Sequence, residues 1–558
     1  MADFLNIGLT GLMAAQAKLT VASHNIANAD TPGYSRQSTV QTTQPSQYMG
    51  YGYVGQGARV VDVQRSYDQF LHRQLLQSQS QASYYQSYRD LIAPIDDLIA
   101  DPDLGVSSAM AQFFDSVNEV ANNPSSIPAR QTMLSQSEAL VNRFHLLSDR
   151  IEEIDAALQQ NVSLATQQIT QYGQQIARLN QEITRALGVG NGAAPNDLLD
   201  QRDQALAELS KLVNVHAVVD DRGIMNVFIG NGQALVQGME SATLATRPDP
   251  AQPMRTQVTY QIGTGAAQIL PEQLITGGEL GAMLAFRRDT LEPVQDQLGF
   301  LALALAVKFN EVHASGYGLD GSTGSAYFSG IDLSQPVETT GSAGSTVTVP
   351  FASSVDLGAL RPDTYILSNT NGTLTVTRQS DGKVFDVSAN SVIDGLDFSG
   401  VTLQTGETAV ISPYRNAASK IGVAITDPRQ IAAAEEDPTG TLAPGSGPAD
   451  NRNALALAAI QTDKFLYANA SGQPTATLQS VYARTVSAVG AKASEVINGA
   501  TASQALHEQI RAQRDSLAGV NLDEEAANLI RFQQAYLAAS KVMQMSQRLF
   551  DSVLAIAS

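Results

Sequence analysis

Gly50-Tyr51-Gly52-Tyr53-Val54-Gly55 spells a G-x-G-x-x-G fingerprint, in which glycines let the backbone turn tightly against a pyrophosphate at the mouth of a helix. That chemistry needs a strand before the motif and a helix after it. No strong strand precedes these glycines, and Ala58 to Val63 alternates like a strand where the helix should open, so the context argues against a nucleotide site. The six histidines, His24, His72, His145, His216, His313 and His507, include no pair at metal-ligand spacing, and His507-Glu508 lacks the second histidine four residues on. Asp523-Glu524-Glu525 has the makings of a paired-carboxylate site. Carboxylates in a first helical turn, favoured by the positive end of the helix dipole, are the better reading. Neither a G-x-S-x-G elbow nor a phosphate-binding loop occurs. The expectation is therefore a protein that is not an enzyme, with no catalytic, cofactor or metal residues.

What recurs at fixed spacing is apolar. Leu5, Leu12, Leu19 and Ile26 stand seven apart, with Gly8, Ala15 and Ala22 in the slot three residues on; at the other end Leu522, Leu529, Tyr536, Met543 and Phe550 repeat the spacing, with Phe532, Ala539 and Val553 in the second slot. Each ladder is a coiled-coil seam on a helix. A second stripe runs beside each, through Ile7, Ala14 and Val21 and through Ala535, Val542, Leu549 and Ile556, so pairing the two helices along one seam leaves apolar flanks. The ladders are expected to be an assembly interface made by Leu5, Leu12, Leu19, Ile26, Leu522, Leu529, Phe532, Tyr536, Met543 and Phe550. The termini are further expected to be largely unfolded in the monomer and to fold on assembly.

The 558 residues suffice for two to four domains, and 43% hydrophobic content is ordinary for a protein with cores. With 34 Lys and Arg against 54 Asp and Glu, the net charge of -20 argues against nucleic acid or an anionic membrane as partner. The absence of cysteine removes disulfides and thiolate sites; it suits a chain that crosses an oxidising compartment or is exported unfolded, and is equally explained by the rarity of cysteine in bacterial proteins. The first residues show no basic leader pattern, and the longest apolar run, Leu298 to Val307, is about half a membrane span. We expect a soluble chain with no membrane insertion.

The fold class this suggests is mainly α with inserted β. An N-terminal coiled-coil helix (1–34) ends where Thr31-Pro32-Gly33-Tyr34 supplies a type II turn, a motif in which Asn28, Pro32, Gly33 and Tyr34 carry the change of direction. A helical body (35–315) follows, with helices over 67–121 broken near Pro102, a second helical region from Pro128, and a coiled coil from Leu158 to Ala186 closed by Gly188-Val189-Gly190-Asn191-Gly192. A helix from Asn196 to Leu212 leads into a β-hairpin at 213–239, and two helices, Leu280 to Arg288 and Leu291 to Ala314, complete this part. Residues 316–415 read as an all-β domain with hairpin turns at Asn371-Gly372 and Asp381-Gly382. A linker and return helices (416–516) precede a C-terminal coiled-coil helix (517–558), roughly 60 Å long if continuous.

The run Ser23-His24-Asn25-Ile26-Ala27-Asn28-Ala29-Asp30-Thr31-Pro32-Gly33-Tyr34-Ser35-Arg36-Gln37 resembles the N-terminal signature of the bacterial flagellar axial proteins of rod, hook and hook-filament junction, although His24 and Asp30 stand where the family often has Asn. Its Ser-Arg-Gln ending, the run Gly519 to Tyr536, the segment Asn196-Asp197-Leu198-Leu199-Asp200-Gln201-Arg202-Asp203, and Gly277-Gly278-Glu279-Leu280-Gly281 with Leu298 to Asn310 are similar to the junction, or hook-associated, members. The resemblance implies a structural adaptor at the distal end of the hook, joining hook to filament. It also implies extracellular localisation by flagellar type III export without a cleaved signal, and a homo-oligomeric ring or helical tube. The implied partners are hook protein, a second junction protein next to the filament, and an export chaperone on the C-terminal helix. The alternatives are another axial subunit, of rod or hook, or a secreted enzyme or adhesin carried on the β domain.

Overall fold

A computed structural model describes residues 2–101, 105–190, 192–250, 255–352, 356–440, 447–469 and 471–557. Its helices are α1 (Ala2–Ala27), α2 (Gln69–Ala100), α3 (Val106–Asn122), α4 (Ile127–Val189), α5 (Asn196–Leu212), α6 (Gly278–Phe286), α7 (Glu292–His313), α8 (Ala417–Lys420), α9 (Arg452–Ala459), α10 (Leu478–Ala518) and α11 (Leu522–Ala557). Small antiparallel sheets are set between them. The architecture is mainly α with inserted β, as the periodicities require.

The body is built on α4, a single helix of 63 residues. Ser126 caps it by accepting the Ala129 N–H at 3.3 Å, and Pro128 sits in its first turn, where a missing N–H costs nothing. The second half corrects the sequence expectation of a coiled coil from Leu158 to Ala186. Val162, Ile169, Ile176 and Ile183 are buried, but what covers that stripe is α5 and β-structure. The strands Val215–Val219, Met225–Ile229, Gln233–Gln237 and Glu240–Ser241 form a four-stranded sheet in chain order. Asn180 donates from α4 to the carbonyls of Met225 and Gly238, both at 2.8 Å, and Thr170 exchanges hydrogen bonds with the Leu244 backbone. A seven-residue apolar repeat reports one buried face and not what buries it.

Two further boundaries differ from expectation. The helices anticipated at 280–288 and 291–314 are joined by a π-helical turn, Arg287–Leu291, and run on without a break. The C-terminal helix anticipated from Leu517 is interrupted: α10 ends at Ala518, Gly519 and Val520 are extended or irregular, and α11 starts at Leu522. The break near Pro102 falls at 102–104, outside the described residues.

The β unit after α7 has its own core, from Val347, Val349, Tyr365, Leu367, Val376, Leu396, Phe398, Ala409 and Ile411. Its main sheet orders Val384–Asp386, Thr373–Arg378, Tyr365–Thr370 and Thr408–Ile411 side by side. Asn371 and Gly372 take φ of +53° and +88° in the hairpin between 365–370 and 373–378, the geometry that Asn-Gly favours. A buried cluster of equal charge fixes this unit to the body: Arg255 pairs with Glu272 and Glu292, Arg287 with Glu272, and Arg415 with Asp296. Thr364 donates to Asp296 at 2.9 Å and Gln379 to Glu292 at 3.1 Å, both from the β unit.

The end of α7 is clasped by a fully buried histidine. Ala432 N–H donates to His313 Nε2 at 2.9 Å, so the ring proton is on Nδ1 and is donated to Ser325 O at 2.7 Å. Burial lowers its pKa from 6.5 to about 4. The unfolded chain therefore binds more protons between those values, and His313 costs stability as pH falls from 6.5 toward 4, by about 3 kcal/mol. Urea denaturation at stepped pH should show this slope, and His313→Asn should flatten it at the price of lower stability at pH 7.

Candidate functional site

α1 and α11 pack antiparallel along their length: Gly8 lies against Met543 and Val542, Gly11 against Ala539, and the Lys18 ammonium 5.7 Å from the Phe532 ring centroid. The centre of the contact is the small-residue row. Gly8, Ala15 and Ala22 are buried, and a Cβ at Gly8 would come within 3.1 Å of Met543 Cγ, so the two backbones approach more closely than larger residues allow. The expected ladder lies at the edges: Leu5, Leu12, Leu19, Ile26, Leu529, Phe532, Tyr536 and Met543 are half-buried, and Leu522 and Phe550 are more than half exposed.

The second stripe of α1 is not a free flank. Strands Gln37–Thr43 and Ala58–Arg65 pair antiparallel with a bulge at Val40/Gln41 and pack on α1; Gly57, at φ +97°, sits against Ile7 and Thr10, and Ala14 is buried. On α11 the counterparts Ala535 and Leu549 remain exposed, and the side chains of Val553 and Ile556 lie outside the described residues. On the side of α11 turned from α1, Ile530 and Leu537 are 56% and 55% exposed. The Gly50 to Gly55 motif is the tip of a hairpin between Gln47–Tyr48 and Tyr53–Val54, followed by strand and not by helix.

The terminal pair is joined to the body at one polar knot. α1 ends at Ala27, where Asn28 Nδ2 returns to His24 O at 3.0 Å and Thr31 Oγ1 donates to Asn28 Oδ1 at 3.2 Å. Tyr34 N bonds Thr31 O at 3.2 Å with Gly33 at φ +80°, the type II turn that Pro32-Gly33 predicts. Asn25, 1% exposed, reads the backbone of Gln37 in both directions at 2.9 Å and accepts the Tyr34 hydroxyl at 2.8 Å. This folds the chain back beside its own helix.

α5 holds that fold in place. Asp200 accepts Ser35 N–H at 3.0 Å and Arg65 Nη1 at 2.8 Å; Arg65 also pairs with Asp203 at 2.7 Å. Gln37 Nε2 donates to Asp197 at 2.9 Å, His24 Nε2 lies 3.3 Å from the same carboxylate, and Asn196 Nδ2 donates to Val63 O at 2.7 Å. Burial works against the Arg65 charge, but Asp203 and Asp200 outweigh it and raise its pKa; burial, then Asp197 and Asp200, push the Tyr34 hydroxyl up. The α10–α11 break meets the same place. Arg36 N–H donates to Ala518 O at 2.8 Å, Arg36 pairs with Glu524 at 2.9 Å, and Arg514 reaches the carbonyls of Gly33 and Tyr34. Asn521 caps α11 by accepting the N–H groups of Asp523 and Glu524, so the 523–525 carboxylates do occupy a first helical turn.

Asn28, Gly33 and Tyr34 therefore belong to the knot, with Pro32 exposed at its turn. Sequence reasoning quoted Asn25, Gln37 and the 196–203 segment without bringing them together, and missed Arg65. Two chain segments that resemble the same family at separate places were the signal for the first. Nothing in the local pattern around Arg65 marks it.

A small-residue helix pair locked to a helical body defines a structural element built for packing. Comparison with known proteins places it among the axial proteins of the bacterial flagellum: residues 5–34 match the flagella basal body rod protein family, 512–556 the flagellar basal body rod FlgEFG protein C-terminal family, and 92–328 the flagellar hook-associated protein FlgK helical domain. Flagellar hook-associated protein 1 of Salmonella typhimurium is 37% identical, and that of Escherichia coli 34%, over 100% of both chains in each case. The solved flagellar hook junction protein FlgK from Burkholderia pseudomallei superimposes with a TM-score of 0.69 at 25% identity, covering 80% of this chain and 100% of that one. The chain belongs to the flagellar hook-associated protein 1 (FlgK) family, and its role is that of a structural protein of the hook-filament junction.

Arg65, Asp200 and Asp203 have side chains no more than 11% exposed. Arg65→Met should cost about 3–5 kcal/mol by removing the ion-pair partner of two buried carboxylates, read as a lower melting temperature and faster proteolysis between residues 28 and 37. Arg65→Lys should lose less.

Proposed function

We propose that this chain assembles laterally with copies of itself at the distal end of the hook, through the outer faces of α1 and α11, and so joins hook to filament. The observation that carries this reading is the apolar side of α11 left uncovered in the single chain, Ile530, Leu537, Met545 and Leu549, together with Met13 at 57% exposed on α1. Large apolar side chains left exposed on the open side of a paired helix mark a surface for a neighbour. The ladder residues Leu5, Leu12, Leu19, Ile26, Leu522, Leu529, Phe532, Tyr536, Met543 and Phe550 belong to the same interface, since each keeps a share of its surface free after the two helices have paired.

In this reading hook protein lies below and a second junction protein above, each contacting the inner layer of terminal helices. The termini are unfolded before assembly, so the chain passes the flagellar type III apparatus while a chaperone covers the C-terminal segment. The segments 1–34, 35–315, 316–415, 416–516 and 517–558 then act as inner helix, body, outward β domain, return helices and inner helix. Closed rings or helical tubes follow from repeating one heterologous contact. No described helix is long and apolar enough to cross a membrane.

Deleting the gene should leave complete hooks without filaments, with filament protein shed into the medium. The double substitution Ile530→Asp and Leu537→Asp should do the same with the protein exported and the body folded, because both residues face away from α1. Full motility of that variant would refute the assignment of the interface.

A further inference from the structure

Away from the terminal knot, the start of α7, the first third of α10 and the hairpin of Leu466–Ala468 with Pro474–Ala476 enclose an open groove of about 580 Å³. Its central residue is Tyr467, a bulky side chain on backbone at φ +53°, a left-handed conformation that costs energy unless the surroundings impose it. Thr475 Oγ1 donates to Tyr467 O at 2.7 Å, Gln297 Nε2 to the Tyr467 hydroxyl at 3.2 Å, and Ala468 N to Gly358 O at 2.7 Å. The strained turn holds the phenol ring near two cations: Arg361 Cζ lies 5.2 Å and Arg484 Cζ 5.6 Å from its centroid.

The two guanidinium groups are not equivalent. Arg361 spends its Nη groups on the carbonyls of Gly358, Leu360 and Ala468, which makes it part of the frame. Arg484 is exposed and, among the described residues, neither arginine has a carboxylate within ion-pair distance. Lys492, also lining the groove, is neutralised by Glu495 at 3.0 Å. Asp289, on the groove wall, is paired with Arg288 at 2.7 Å, so the groove offers two guanidinium groups without an ion-pair partner among the described residues, in a chain of net charge -20. An arginine steadied on an aromatic ring presents a planar fork that binds carboxylates in bidentate fashion.

We propose that this groove receives exposed carboxylate side chains from a second copy of this chain, with Arg484 making the contact and Arg361 and Tyr467 positioning it. Charge complementarity selects the occupant: each copy brings 54 Asp and Glu against 34 Lys and Arg, so the neighbour in a homo-oligomer supplies the missing anion. The volume admits a few side chains and not a whole domain. The contact is therefore a lateral peg, one-sided on each copy, of the kind that propagates around a tube. It rests on the reading that copies assemble side by side, but uses the body and not the terminal helices.

The test places a photo-activatable phenylalanine analogue at Ala488, an exposed position lining the groove, in the full-length chain expressed in motile cells. Irradiated flagella should yield a covalent dimer of the chain. Arg484→Glu should cut that dimer about tenfold, and Arg484→Lys far less, with incorporation into flagella unchanged. A cross-link to a different protein, no cross-link, or an undiminished dimer in Arg484→Glu would each overturn the proposal while leaving lateral assembly through the terminal helices standing. Failure of the unsubstituted chain to enter flagella would overturn both.

Discussion

Arg65, held between Asp200 and Asp203 in a largely buried site, is the constraint on which the geometry of the terminal layer depends. A buried ion pair contributes little net stability compared with apolar packing, but its geometry is strict, because any displacement strands charge away from solvent. Here the cation comes from the ribbon that packs on α1 and the anions from α5 of the body. Asn25 and Gln37 extend the same rule into the backbone, fixing the chain reversal to within a hydrogen-bond length. With the α10–α11 break bonded to the same turn through Arg36 and Arg514, both terminal helices leave the body from one point and in one defined direction.

The helix pair that leaves this point is made to approach closely and not to be buried alone. Glycine and alanine at the centre of the seam bring backbones together while contributing little apolar area, and the large side chains are displaced to the rims. One rim of α1 is covered in cis by the 37–65 ribbon; on the outer side of α11, Ile530 and Leu537 stay more than half exposed. In the lateral assembly proposed above, a helix pair with these properties gains its main burial from neighbours, which suits a flagellar hook-associated structural protein. The buried cluster of Arg255, Arg287 and Arg415 with Glu272, Glu292 and Asp296 gives the β unit an equally defined seat on the body.

Where a residue type dictates backbone geometry, the sequence was legible: Pro32-Gly33 and Asn371-Gly372 gave their turns, and alternation at 213–229 gave its strands. Helix existence was legible for the same reason, from period. What was not legible is what covers a given face. The stripe from Leu158 to Ala186 read as a coiled coil because a strand and a helix can bury the same ladder, and the Ile7, Ala14, Val21 stripe read as a free flank because the covering ribbon is polar in composition. The knot was half visible, as two family-like segments far apart in the chain, whereas Arg65 carries no mark until the fold sets it beside α5. The Leu517 to Ala557 run hid its break because Gly519 alone is a weak helix terminator, and the turn is enforced from outside by Arg36 and Arg514.

The central claim is that the knot is preformed and aims a helix pair that completes its burial only between copies. Residue-resolved hydrogen exchange on the dilute full-length monomer and on assembled flagella tests it directly. The account predicts that Ser35 and Gln37 amides are protected in both states, while residues 2–20 and 525–550 exchange quickly in the monomer and slowly after assembly. Strong protection of both terminal helices in the dilute monomer, or rapid exchange at Ser35 and Gln37 there, would contradict it.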